Sequence, residues 1–344
     1  KYKQIDLKLI FFILPWQPKL EEKIKQVKEF AREQKLKLIP VDCRRGKLLR
    51  ELLTMIKKPK HGYGTALNPC IDCKIWMLKK AKLIAKKEAR GKDTLLVTGE
   101  VLGERPFSQN KQALQLIASE SKTNSLLLRP LSAKLTKPSK QVTKLLRKYK
   151  LNDLMLDLQG RSRKKQMQLA RTLRVEWINP AGGCLLTDPV YSKKLKDLLE
   201  HKSLAQIKDY ELELLNLGRH FRFKRTRFVV GRNEEENKKL RAIAFKYGLV
   251  WLEARVPSPL TLVLPETKQA TKQINKEMGL ATPKEYAKIA AQLTVFYSAY
   301  RKLVKAKEDI KKINCLVQAF KGKQKINLFE IKFPPQELVE KLKI

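Results

Sequence analysis

The first strongly apolar run of the chain, Leu9 to Leu14, precedes a charged stretch of helical periodicity and a second apolar run. The charged stretch covers about Lys19 to Gln34, and the second run is "LKLIPVD". A buried strand, an amphipathic helix and another buried strand predict a β-α-β unit, which favours a parallel sheet covered by helices. The run Leu9 to Leu14 is too short to cross a bilayer, so the sequence predicts a cytoplasmic protein without a membrane partner.

The pattern continues with the glycine-rich loop "HGYGTALNP", a helix from about Pro69 to Ala89 and the buried strand in "TLLVTGEVLG". In open parallel sheets, ligands bind beyond the carboxyl ends of the strands. We therefore expect the loops that follow Asp42 and Val97 to face one site.

Two changes of pattern divide the rest of the chain. Short strands and basic helices begin near Ser125, and a strand, a turn, a second strand and a helix are predicted after Asp209. The sequence predicts an α/β domain over 1–130, a basic extension over 131–207 and an α+β domain over 208–344.

Charge narrows the class of partner. The 344 residues include 75 Lys and Arg against 34 Asp and Glu, for a formal net charge of +41. Such an excess opposes a compact fold by self-repulsion unless a polyanion is the usual partner. Nucleic acid is the partner that this composition favours, although a lysine-rich solvated surface would account for part of it.

The cysteines provide the first candidate chemistry. Five are scattered along the chain, which is typical of intracellular thiols rather than of a disulfide framework. Asn68 is a suitable N-cap and Pro69 a suitable first helical residue, so Cys70 and Cys73 should occupy one face of a helix start, where the dipole lowers a thiol pKa. Cys184 follows glycines in "PAGGCLL", whereas Cys43 and Cys315 lie in apolar stretches typical of a core.

Three roles remain open for the pair in "NPCIDC": a nucleophile with its helper, part of a metal site, or structure alone. Tetrahedral zinc needs two further ligands, and His61 is the nearest candidate in the sequence.

The elements "GYGTALNPCIDCKIWML", "LLVTGEVLGERPFSQ", "LLRPLSAKL", "GRSRKKQ" and "PAGGCLLTD" together resemble the PP-loop ATPase class of tRNA thiouridylases, related to 2-thiouridine and 4-thiouridine synthases. The resemblance covers about residues 8 to 205. It implies a Rossmann-like fold of the adenine nucleotide alpha hydrolase type and ATP-dependent transfer of sulfur to a tRNA uridine. Cys70 would carry a persulfide and Cys184 would release the sulfur; alternatively, Cys70, Cys73 and Cys184 would hold a 4Fe-4S cluster.

The same resemblance implies a nucleotide-facing loop and a cofactor, ATP with Mg²⁺. The residues assigned to this loop are Thr98, Gly99, Glu100, Gly103, Arg105, Ser108 and Gln109. The Ser-Gly-Gly-x-Asp-Ser loop by which the class binds pyrophosphate does not occur in the sequence, which begins at Lys1. We expect the run "LKLIFFIL" to correspond to the second strand of the family, with the first strand and its loop missing from this chain.

Two further regions point to RNA. "GRSRKKQMQLARTLR" contains six positive residues and no acid, which predicts RNA contacts from Arg161, Arg163 and Lys164. "LGRHFRFKRTRFVVGRNEEEN" resembles the RNA-binding domain of the NFACT family through its "GRN" and an Asn four residues later, although the family's histidine and glycine in the next segment are replaced by Glu253 and Ser258. The resemblance adds the candidates Arg219, Arg222, Arg225, Arg227, Arg232, Asn233 and Asn237.

Together the two resemblances imply a tRNA thiolation enzyme with a second RNA-binding domain, supplied with sulfur by a cysteine desulfurase or a sulfur-carrier protein. The alternative is a non-catalytic protein that binds tRNA or the ribosome and has a degenerate PP-loop domain.

Overall fold

The computed structural model describes residues 5–175, 183–301 and 314–344. The chain forms two compact units, Lys1–Pro189 and Val190–Ile344. Among the helices of the described residues, none combines the length and apolar character needed to span a bilayer.

The first unit contains four strands and seven helices in its described part. They are β1 (Lys8–Ile13), α1 (Leu20–Glu33), β2 (Lys37–Asp42), α2 (Gly46–Lys57), α3 (Cys70–Ala89), β3 (Leu96–Val97), α4 (Lys111–Glu120), β4 (Leu127–Leu128), α5 (Ala133–Thr136), α6 (Lys140–Lys148) and α7 (Lys164–Thr172).

The predicted β-α-β unit is present, because β1 and β2 pair in parallel on either side of α1 in the sequence. β3 and β4 form a separate parallel pair of only two residues per strand. The described residues do not join these pairs into one sheet, so the unit is mixed α/β without the Rossmann-like parallel core that was expected. β1 is only partly buried, which is inconsistent with a central strand covered on both faces.

Helix packing supplies much of the core of the first unit. Ile71, Ile75 and Leu78 of α3 pack with Ile117 of α4, and strand residues such as Leu96 join the same cluster. Since apolar positions recur at helical spacing from the first turn of α3, the start of this helix is held against the core.

The second unit contains six strands and six helices in its described part. They are α8 (Pro189–His201), which begins at the unit boundary, α9 (Asp209–Leu214), β5 (Arg219–Phe223), β6 (Thr226–Val230), α10 (Glu234–Tyr247), β7 (Val250–Ala254), β8 (Thr261–Pro265), α11 (Lys268–Met278), α12 (Glu285–Phe296), β9 (Asn314–Lys321), β10 (Gln324–Lys332) and α13 (Gln336–Leu342).

These strands form one antiparallel sheet in the order β10-β9-β7-β8-β6-β5. One face packs on α12, where Leu293 lies in a cluster with Phe228 and Phe329. The other face packs on α10, where Leu240 lies in a cluster with Trp251. The predicted succession of strand, turn, strand and helix after Asp209 corresponds to β5, β6 and α10.

The position of the unit boundary follows from contacts of α8. Lys194 is buried, and its Nζ donates to the carbonyl oxygens of Leu215 and Gly218 at 3.2 and 3.1 Å. α8 therefore packs with the second unit, which begins at Val190.

A buried carboxylate caps the central helix α12. Glu277 is 1% exposed and accepts hydrogen bonds from the backbone N–H groups of Tyr286 and Ala287 at 2.7 and 3.1 Å. We expect Glu277→Ala to lower the free energy of unfolding by about 2–4 kcal/mol, because two buried donors lose their partner. Urea denaturation measures this change. Glu285→Ala, at an exposed position of the same helix start, is the control and should change stability little; equal effects of both variants would contradict the capping role.

Candidate functional site

Cys70 is the first residue of α3, and its thiol donates to Asn68 Oδ1 at 2.9 Å. The sequence predicted Asn68 as the N-cap, but Pro69 occupies that position. The Asn68 carbonyl oxygen instead accepts from Gly64 N–H at 2.8 Å. The glycine-rich loop is thereby closed immediately before the cysteine.

Asp72 anchors the other end of this loop. Its carboxylate accepts from the backbone N–H groups of Lys60 and His61 at 3.2 and 3.0 Å, and His61 Nδ1 lies 3.1 Å from Asp72 Oδ1. His61 Nε2 lies 3.1 Å from Glu120 Oε1. Both ring nitrogens thus face carboxylates, which leaves His61 poorly placed to complete a zinc site with Cys70 and Cys73.

Cys70, Cys73 and Cys184 are brought together although the third is far along the sequence. Burial raises the pKa of the Cys184 thiol to about 11, and Cys70 adds to the effect. Burial also raises the pKa of Cys73 far above its usual value, with contributions from Cys184 and Cys70. Each thiol therefore lies within electrostatic reach of the others.

The backbone holds Cys184 in place. Leu185 N–H donates to the carbonyl oxygen of Trp16 at 2.9 Å, and Leu186 is buried immediately afterwards. Residues 180–182 of "PAGGCLL" lie outside the described residues.

The predicted low pKa of Cys70 is wrong in direction. Burial raises the pKa of this thiol above its ordinary value, while Lys74 and Arg105 act to lower it, as do hydrogen bonds with Ser108 and Asn68. Loss of contact with water disfavours the thiolate. This effect is larger than the combined favourable effect of these groups and of the helix start. Cys43 and Cys315, predicted as core residues, are fully buried.

A site for a single metal ion is absent from the described part of the chain. Within residues 5–175, 183–301 and 314–344, no group of three or more His, Cys, Asp or Glu side chains could hold a metal ion. The zinc alternative for Cys70 and Cys73 is therefore not supported by the described residues.

Glu100 connects the loop after β3 to α3 and β4. Its carboxylate lies 2.8 Å from Lys74 Nζ and 2.8 Å from Arg129 Nε, and it accepts from Thr98 Oγ1 at 3.2 Å. Burial acts to raise the pKa of Glu100, but Lys74 and Arg129 outweigh it and hold the pKa below its usual value. Glu100 and Thr98 therefore make internal contacts that stabilise the loop.

Ser108 and Gln109, predicted to meet phosphate or RNA, are 1% and 7% exposed. Lys74 Nζ donates to the Ser108 carbonyl oxygen at 3.2 Å, and the Gln109 carbonyl oxygen accepts from Gly103 N–H at 2.7 Å. Of the seven residues assigned to the nucleotide, Gly99 and Arg105 are exposed. Because Ser108 and Gln109 face inward, these residues do not form the open phosphate cradle that ATP requires.

Lys74 is the site residue that sequence analysis missed. It lies one turn after Cys70 on α3, so the i, i+4 spacing could have indicated a cation on the same helix face as the thiol.

The start of α7 adjoins this site. Gly160 N–H donates to the carbonyl oxygen of Leu102 at 2.8 Å, and Arg163 Nε donates to Glu104 at 2.8 Å. Arg161 and Lys164 flank this contact and are exposed. Two of the three basic residues predicted in this segment therefore lie free on the surface beside the loop that carries Arg105.

The arginines of the second unit divide into exposed and internal ones. Arg225 is exposed, whereas Arg222 forms close pairs with Asp197 and Glu266, each with N–O distances of 2.6 Å. Arg227 is fully buried near Glu211, which corrects its prediction as an RNA contact. Every residue of β6 is buried, so strand alternation does not place Arg227 outside.

The remaining predicted contacts take structural roles around α10. Asn233 caps the helix by accepting from Glu236 N–H at 2.9 Å, and Arg232 Nε donates to Glu236 at 2.9 Å. Asn237 is buried and accepts from Leu260 N–H at 3.0 Å, which removes it from the surface. Arg219 is half-buried, and its guanidinium lies 4.6 Å from the ring centre of Tyr297.

No family model matches the chain, and no curated protein matches it. Among solved structures, the chain is similar to the C-terminal part of the fibronectin/fibrinogen-binding protein from Streptococcus suis, at 13% identity and a TM-score of 0.26. The comparison covers 87% of this chain and 100% of the other. A TM-score at that level does not define a shared fold.

Arg105 provides a test of the thiol electrostatics, since it lowers the pKa of both Cys70 and Cys184. Arg105→Ala should shift the pH midpoint of Cys70 alkylation upward and slow alkylation at neutral pH by about two- to fivefold, because less thiolate is present. Mass spectrometry of the modified peptide across a pH series measures the shift. Arg90→Ala is the control, because Arg90 follows the opposite end of the helix, about 30 Å away. A midpoint unchanged in Arg105→Ala would contradict the assignment.

Arg222 was predicted to contact RNA, but its ion pairs indicate a structural role that can be tested. Arg222→Ala leaves Asp197 and Glu266 as facing, largely buried carboxylates, so we expect the free energy of unfolding to fall by about 3–5 kcal/mol. Guanidinium denaturation measures this fall. Arg225→Ala, at an exposed position on the same hairpin, should leave stability nearly unchanged; a stable Arg222→Ala protein would contradict the structural role.

Proposed function

We propose that the first unit transfers sulfur to a uridine of tRNA and that the second unit holds RNA. The observation that carries the proposal is the convergence of Cys70, Cys73 and Cys184 beside the cations Lys74 and Arg105. Adjacent thiols and positive charge are the requirements of sulfur relay to an anionic substrate.

The resemblance assigns activation of the uridine to ATP and Mg²⁺ and gives the protein a PP-loop type of fold. The loop residues described above do not form an open phosphate cradle, so the steps proposed here involve the chain's own thiols. A cysteine desulfurase or a sulfur-carrier protein is the proposed source of sulfur.

Cys70 is the thiol best suited to carry the sulfur. The pKa of Cys184 is raised to about 11 and that of Cys73 further still, whereas four groups oppose the rise at Cys70. Because the thiolate is the nucleophile, Cys70 is the first of the three to become reactive as pH rises.

The proposed transfer accounts for every bond that forms or breaks and for the electrons. The terminal sulfur of a persulfide on Cys70 forms a bond to the activated uridine carbon, which loses its oxygen-linked leaving group. Cys184 then attacks Cys70 Sγ, which forms a Cys70–Cys184 disulfide and leaves the transferred sulfur on the base. A thiol reductant restores both cysteines.

The distribution of charge supports RNA as the substrate. α6 presents the exposed residues Lys140, Lys144 and Arg147, which line one shallow groove on its surface, and the helix contains no acid. Together with Arg161 and Lys164 at the start of α7, these cations suit successive phosphates of a nucleic acid.

A second candidate function is binding of tRNA or the ribosome without catalysis. The inward-facing Ser108 and Gln109 favour it, because a nucleotide-dependent enzyme needs exposed phosphate ligands at such a loop. Both functions predict that the protein binds RNA, but only the first predicts that sulfur is incorporated into tRNA. A measurement of thiouridine therefore distinguishes them.

Cys70→Ser should abolish thiouridine formation in tRNA incubated with the protein, ATP, Mg²⁺, cysteine, a cysteine desulfurase and a thiol reductant. Cys184→Ser should limit the reaction to at most one turnover, with the sulfur retained on Cys70. Mass spectrometry of the digested tRNA measures thiouridine, and Cys315→Ala is the control that removes a thiol from the other unit.

Two results would decide against this mechanism. A wild-type protein that binds tRNA but forms no thiouridine would establish the binding function in its place. Iron and acid-labile sulfide present after anaerobic purification, and lost in Cys70→Ser, would replace the persulfide by a cluster.

A further inference from the structure

Aromatic side chains are exposed where the C-terminal end of α10 meets the turn between β9 and β10. Phe245 and Tyr247 of α10 are 37% and 40% exposed, and the half-buried Phe320 of β9 lies nearby. Trp251 lies against two of them, because its ring centre is 6.1 Å from that of Phe245 and 4.2 Å from that of Phe320, whereas the ring centre of Tyr247 is 4.4 Å from that of Tyr210. Exposed aromatic groups on one part of a surface are typical of a binding site.

Cations accompany each exposed ring. Lys323 Nζ lies 5.9 Å from the ring centre of Phe245, and Lys246 Nζ lies 5.2 Å from that of Tyr247. Arg241 lies 5.3 Å from the ring centre of Trp251 and pairs with Glu253. We call this set the aromatic–basic patch: Arg241, Phe245, Lys246, Tyr247, Phe320 and Lys323.

The patch is held by backbone and packing. Trp251 Nε1 donates to the carbonyl oxygen of Gly322 at 2.8 Å, and Gly322 N–H donates to the carbonyl oxygen of Leu249 at 3.0 Å. The rings of Trp251 and Phe320 are nearly parallel, with an interplanar angle of 9°. Trp251 and Phe320 are therefore held in place, so the surface against which Phe245 lies needs little reordering when a ligand binds, which reduces the entropic cost of binding.

Charge identifies the class of ligand. The acids of α10, Glu234, Glu235 and Glu236, occupy its first turn, whereas the patch lies at its last turn. Lys321 and Lys325, on either side of the turn, add exposed cations. Lysine is depleted at protein–protein interfaces, but aromatic rings interleaved with cations suit bases and phosphates together.

We infer that the aromatic–basic patch binds unpaired nucleotides of RNA, with bases stacked on Phe245 and Tyr247 and phosphates beside Lys246 and Lys323. The inference rests on the proposed RNA-binding function and specifies which RNA the second unit takes. A duplex conceals its base faces, so the patch selects single strands over paired RNA.

The test compares the full chain with the double variant Phe245→Leu and Tyr247→Leu, which keeps apolar bulk and removes both aromatic faces. The probes are a fluorescent oligouridylate of about twelve nucleotides and a duplex RNA of equal length. The double variant should bind the single strand at least about tenfold more weakly, with an unchanged slope of log Kd against log salt and unchanged duplex affinity. Lys246→Ala with Lys323→Ala should instead reduce that slope.

Three controls test whether a loss of affinity comes from the aromatic rings of the patch and not from unfolding or from a change in RNA binding elsewhere. Phe245→Tyr should retain affinity, and the double variant should share the thermal midpoint of the wild type. Ultraviolet cross-linking of the wild type to the oligouridylate should map to the peptide that contains Phe245 and Tyr247, which tests the patch without any substitution.

Each contrary outcome has a distinct meaning. If the wild type binds neither RNA, the proposed RNA-binding function fails. If the wild type binds but the double variant binds the single strand equally well, or if cross-links map elsewhere, the patch is not the site and a protein partner becomes its alternative occupant. Equal losses on single-stranded and duplex RNA would overturn stacking as the mechanism.

Discussion

The geometry of the thiol site depends on the pairing of Glu100 with Lys74 and Arg129. A carboxylate that is largely removed from water is strongly unfavourable without positive partners, and here two cations lie at 2.8 Å. The partners come from α3 and from the end of β4, so satisfying one buried charge fixes three segments to each other. The loop that follows Glu100 carries Arg105 and Ser108 and is thereby held near Cys70.

The same constraint explains how a chain with a net charge of +41 folds. Many of its acids are used internally: Asp197 and Glu266 pair with Arg222, Glu211 pairs with Lys202 and lies near Arg227, and Glu277 caps a helix. The lysines of α6 and of the β9–β10 turn are exposed. Because these pairs withdraw cations together with acids, the surface keeps the excess of positive charge that the composition shows, which supports the argument for a polyanionic ligand.

Sequence patterns predicted the elements better than their assembly. The periodicity of residues 8–42 identified β1, α1 and β2, and the helix from Cys70 to Ala89 was placed within one residue. The joining of strands into one parallel sheet was wrong for the described residues, since β3 and β4 are two residues long and a short apolar run does not specify how far pairing extends. Arg227 was misplaced because alternation separates the faces of a strand but does not tell whether both faces are covered.

The pKa of Cys70 illustrates a limit of local sequence rules. A helix start and a cation one turn away both favour a thiolate, and the sequence contains both features. Desolvation depends on residues that surround the thiol from other parts of the chain, and at Cys70 it exceeds the local contributions. A thiol held neutral in this way is protected from adventitious oxidation and alkylation. In the proposed function, added positive charge or contact with water would lower the pKa of this thiol, so its reactivity would depend on the binding of a partner.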